Sequence, residues 1–107
     1  MSFFQEDVTN RNFNILRFKD RYGHDCSIQE SSLATEDTIW FGLDKSNPMI
    51  MVSDANRLGL PTNGKTTGWM PYDIPNEVHF NTRMHLTREQ AMELIPVLRR
   101  FVETGEL

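Results

Sequence analysis

Trp40, Arg83 and His85 are the residues of this 107-residue chain whose types best suit capture of a flat anion. An indole ring stacks on a planar base, an arginine gives charge-assisted hydrogen bonds to phosphate, and an imidazole adds a polar or partly charged contact. Lys65 and Thr66 add phosphate donors, and Trp69 offers a second stacking surface. These six residues form the candidate ligand site, with Ser27 and Gln29, or Arg17 and Lys19, available beside them. A different chemistry is nucleophilic, since Cys26 with His24 or His85 has the residue types of a small hydrolase. A lone cysteine inside a strand is more often a small core residue, so no catalytic residue is assigned.

Two further patterns fail on context. Gly59 to Thr66 matches the phosphate-loop expression letter for letter. That loop works by leaving a buried strand and opening a helix, whose free N–H groups hold the phosphate. Here Thr67-Gly68-Trp69-Met70-Pro71 follows, which cannot open a stable helix. His24, His79, His85 and Cys26 are good transition-metal ligands by type, yet they form no CxxC, no paired histidines at helical separation and no acidic cluster. No metal and no cofactor is expected.

The elements that must position these side chains are clearest at the end of the chain. From Phe80 to Leu86, alternation sends Phe80, Thr82, Met84 and Leu86 to one face of a strand and Asn81, Arg83 and His85 to the other. The strand runs into a helix over 87–104, with Thr87 as N-cap, Gln90 completing a capping box, and Gly105 as a left-handed stop. Ala91, Leu94, Ile95, Leu98, Phe101 and Val102 recur at helical spacing and predict a core-facing stripe, with a kink at Pro96. Upstream, Phe13 to Lys19 and His24 to Glu30 read as a hairpin turning at Asp20-Arg21-Tyr22-Gly23. Ser31 to Asp37 is linker-like, and Thr38 to Leu43 reads as a buried strand with Ile39, Phe41 and Leu43 inward and Trp40 outward. Gly42 beside Trp40 leaves room for something large.

Residues 1–12 read as an N-terminal arm and 44–79 as a long irregular loop region, in which only Met49 to Val52 suggests a strand. The whole predicts one α+β domain, a small, mainly antiparallel β-sheet packed on one face by a C-terminal amphipathic helix. A sheet with one helix layer often hides its second face against another copy, so a homodimer with a shared pocket is expected. Hydrophobic content of 38% and aromatic content of 10% argue for a folded chain, and the formal charge of -4 disfavours wholesale binding to duplex nucleic acid. One cysteine excludes an internal disulfide framework. No stretch approaches the roughly 18 apolar residues of a membrane span, and the N-terminal residues lack the pattern of a secretion signal. A cytoplasmic setting with no membrane partner is expected.

Two blocks carry a family resemblance: Arg17-Phe18-Lys19-Asp20-Arg21-Tyr22-Gly23-His24-Asp25-Cys26-Ser27-Ile28-Gln29-Glu30-Ser31-Ser32, and Arg83-Met84-His85-Leu86-Thr87 continuing to Phe101-Val102-Glu103-Thr104-Gly105. Together they resemble short accessory proteins of tailed bacteriophages and prophages, over about half the chain. The resemblance brings no catalytic residues. It implies the host bacterial cytoplasm and stoichiometric binding, either as a sponge for nucleotide immune signals or as an inhibitor of a host defence protein. On that footing the leading expectation is a non-catalytic, anti-defence protein that sequesters a phosphate-bearing nucleotide, such as a cyclic nucleotide or an ADP-ribose-type ligand. The alternatives are a protein-binding inhibitor of the anti-CRISPR kind and a small nucleotide hydrolase.

Overall fold

A computed structural model describes residues 2–33 and 35–107. Met1, in the expected arm, and Ala34, in the expected linker, lie outside them. In chain order the elements are β1 (Gln5–Val8), β2 (Asn14–Lys19), β3 (Asp25–Glu30), β4 (Thr38–Leu43), β5 (Met49–Met51), α1 (Val52–Arg57), β6 (Trp69–Pro71), β7 (Arg83–Thr87) and α2 (Arg88–Thr104). The fold is α+β: a five-stranded antiparallel sheet of order β1-β2-β3-β4-β7, a two-stranded β5-β6 sheet, and the C-terminal helix. Where one domain is expected, the chain divides into two compact units, Met1–Asp44 with Asn81–Leu107, and Lys45–Phe80.

In the larger unit, local chemistry sets the turns. Asp20 accepts the N–H groups of Tyr22 and His24, both at 2.9 Å, while Gly23 takes a positive φ of 84° and closes the β2-β3 hairpin. The expected arm is instead an edge strand, since Gln5 to Val8 pair with Arg17 to Asn14. Its own side chains are all exposed, and it is held by backbone bonding, an Asp7–Arg17 ion pair at 3.6 Å and the packing of Phe4, just before it, on Phe18 at 4.7 Å between centroids, so composition gives little sign of it. The last strand starts at Arg83, not Phe80, but its alternation is as expected.

Register places Leu16, Phe18, Ile28, Ile39, Phe41 and Met84 on one face of the large sheet, and Ile15, Ser27, Trp40, Arg83 and His85 on the other. The edge contact of Phe18 with Phe41, at 6.2 Å between centroids, belongs to the first face. The burial differs from expectation. Ile15, Ser27 and Thr38, on the Trp40 face, are buried, whereas Ile39, Phe41 and Leu43 are only half-buried. The helix departs further from the core-facing expectation. Its capping box and left-handed Gly105 stop are present and it continues through Pro96, but none of its residues is buried. Ile95, Leu98 and Phe101 are about half exposed, and Val102 is 82% exposed.

In the smaller unit, Val52, Ala55 and Met70 form a small core against which Ile50 and Leu60 pack. Residues 44–79, expected as an irregular loop, therefore hold β5, α1 and β6. Val52, expected to end a strand, opens α1 instead, and Ala55 three positions on brings a second apolar side chain to the same core. No helix among the described residues is long and apolar enough to cross a membrane.

Candidate functional site

Three of the six candidate residues meet on one face of the large sheet. Trp40 on β4 lies opposite His85 on β7, with their rings edge to face at 5.5 Å, and the Arg83 guanidinium sits over the Trp40 ring, 5.5 Å from its centroid. The cross-strand register produces this grouping, because Trp40 and His85 are direct partners and Arg83 is two residues along the same strand.

A carboxylate that sequence reasoning left at the start of a loop completes the group. Asp44 accepts from Ser27 Oγ at 2.6 Å and from Arg83 Nη2 at 3.2 Å, and Arg83 Nε also donates to the Leu43 carbonyl at 3.3 Å. The Arg83 and Asp44 side chains are 26% and 23% exposed, so the pair is shielded but not dry. Arg83 is thus engaged by an acid, a carbonyl and an indole face. An incoming phosphate would compete with Asp44 and meet its charge. Trp40 is likewise engaged: its ring carries Arg83, and its indole N–H is buried without an acceptor among the described residues. The space at Gly42 is taken by backbone. A Cβ there would stand 2.5 Å from the Thr82 carbonyl oxygen, where the chain enters β7.

Lys65, Thr66 and Trp69 belong to the smaller unit, all exposed. Thr62 to Lys65 form a tight turn, with Asn63 and Gly64 both at positive φ and the Lys65 N–H donating to the Thr62 carbonyl at 3.0 Å. That bond occupies the amide a phosphate loop would offer, and the next element after the loop is the strand β6 rather than a helix. The Lys65 ammonium and the Trp69 ring, 61% exposed, remain outward on one short segment.

The pairing of Cys26 with His85 loses its geometry. Cys26 pairs with Leu43 and Phe18 on the apolar face, whereas His85 is on the opposite one. Burial pushes the thiol pKa up, and the nearby carboxylates of Asp20, Asp44 and Asp25 push it further, while Sγ donates to the His24 carbonyl at 3.4 Å. A thiolate is disfavoured there. Among the described residues no three His, Cys, Asp or Glu side chains are grouped to hold a metal ion.

The second feature that sequence reasoning misplaced is the α2 stripe, assigned to the core and found at the surface. Periodicity reveals that such a stripe exists but carries no mark of what covers it. Compared with protein-family models, curated proteins and solved structures, the chain matches none.

Proposed function

We propose that this chain is a non-catalytic binding protein that works by protein contact, with α2 as its docking element. The observation that carries this reading is a fully capped, 17-residue amphipathic helix with no buried residue. In proteins a helix draws most of its stability from packing of its amphipathic face, and a contiguous apolar stripe at a protein surface marks an interaction site. The resemblance to phage accessory proteins supplies a setting, stoichiometric binding in the host bacterial cytoplasm. The engagement of Arg83 and Trp40 within their own sheet favours protein contact over nucleotide capture on that face.

Immobilised chain, offered the same chain carrying a second tag in one arm and a bacterial lysate in the other, tests the reading. Stoichiometric capture is expected in at least one arm and is lost with Leu98→Asp and Phe101→Asp. Capture in neither arm overturns it, and capture that survives both substitutions removes α2 as the docking element.

A second reading, capture of a phosphate-bearing nucleotide, is favoured by one observation: Lys65, Thr66 and Trp69 are exposed together on one segment. Titration of tryptophan fluorescence with cyclic di- and trinucleotides and ADP-ribose derivatives tests it. A saturable change abolished by Trp69→Ala supports it, and flat traces at micromolar ligand remove it.

A further inference from the structure

We infer that the surface on which α2 docks is the apolar sheet face of a second copy of this chain, each helix covering the other copy's sheet. The inference rests on the reading of α2 as a docking element and names its partner.

The larger unit lacks an interior of its own. Among its described residues the buried apolar side chains are Ile15 and Cys26, too few to hold a unit of about 70 residues together. Two apolar surfaces are left over. One is the half-buried sheet face of Leu16, Phe18, Ile28, Ile39 and Phe41, with Met84 58% exposed. The other is the helical stripe of Ile95, Leu98, Phe101 and Val102.

The areas fit an obligate pair. The chain exposes 9198 Å². Size scaling of folded monomers gives about 6,200 Å² for 12.5 kDa, and roughly 7,400 Å² even with the two units counted as separate folded bodies. The excess, on the order of 1,800 to 3,000 Å², falls largely in the range that obligate homodimers bury, about 1,000 to 2,500 Å² per chain. Lengths match as well. Seventeen helical residues span about 25 Å, and five strands span about 19 Å between the outer strand axes. Charge agrees, because Glu6 and Glu30 share the apolar face of the sheet while Arg99 borders the stripe, one helical turn from both Ile95 and Val102. A second copy brings both missing surfaces at once in a symmetric, closed arrangement, whereas a helix of another protein would leave α2 exposed.

Cross-linking with a short bismaleimide distinguishes the arrangements, with Cys26 left in place because it is buried. A mixture of Met84→Cys chains and Leu98→Cys chains is expected to form the mixed covalent dimer at least tenfold faster than either variant alone. Met84→Asp added to the Leu98→Cys chain, which spoils only the second, uncross-linked contact on the sheet side, should reduce that product as strongly as Leu98→Asp added to the Met84→Cys chain, and Glu93→Gln, off the stripe, should leave it unchanged. Linkage of Leu98→Cys chains only to each other would mean helix on helix and overturn the inference while leaving α2 as the docking element. No product in any mixture would overturn it too, and the lysate arm above would then decide the wider reading.

Discussion

The carboxylate of Asp20 ties the β2-β3 turn together, and the N–H of His24 first, with that of Tyr22, holds its pKa below the ordinary value. Because the folded-state pKa is the lower one, the stabilisation is fully present above the unfolded carboxyl value of about 3.9 and is lost as pH falls through the folded value. In Asp20→Asn the turn keeps an acceptor but not the charge. The expected outcome is a variant with lower Tm than the parent at pH 7, the difference closing as pH falls below about 4; a difference constant down to pH 2 would show that charge is not the cause. This role was legible because an Asp three residues before a Gly has a local turn chemistry. The role of Asp44 was not, since its partners, Ser27 and Arg83, are 17 and 39 residues away and meet it only when β3, β4 and β7 pair. The Trp40, Arg83 and His85 grouping was half legible. Alternation put Arg83 and His85 on one face, but not the acid that occupies Arg83.

Thr87, Gln90 and Gly105 announce both ends of α2 in the sequence, and the helix begins and stops there. The β2-β3 hairpin and β4 were equally plain, from turn residues and β-branched content. Three elements were not. β1 has four exposed residues and pairs chiefly by backbone, with one exposed ion pair from Asp7 to Arg17, α1 shows only Val52 and Ala55 as buried positions, and β6 contains Pro71, which ordinarily counts against a strand. The stripe of α2 was legible as a pattern and misread as to its cover, for a helical period is the same whether the apolar layer beneath belongs to its own chain or another. Leu98 separates the two cases by sign. If the helix stands free in solution, Leu98→Ala replaces a half-exposed leucine by the best helix former and leaves Tm unchanged or slightly higher. If the stripe is covered, the same change costs about 2 to 5 kcal/mol and lowers Tm by about 10 °C or more. We expect the second outcome for the purified protein.

For the molecule as a whole, the exposed area and the thin interior of the larger unit have one explanation in common, a partner surface supplied by an identical chain. It accounts for a capped helix with no buried residue and a sheet whose apolar face is only half covered, and it makes stability depend on protein concentration. The larger unit should therefore lose cooperativity on dilution, while the small core of Val52, Ala55 and Met70, which needs no second copy, should not. The most direct test is the mass of the native particle by sedimentation across a dilution series. A reciprocal dimer has twice the 12.5 kDa mass at concentrations where the fold is intact, and its dissociation and loss of helical signal are expected to occur together. A folded particle of 12.5 kDa with undiminished helical signal, up to about 100 µM where even an affinity of roughly 5 to 6 kcal/mol would show, would contradict it.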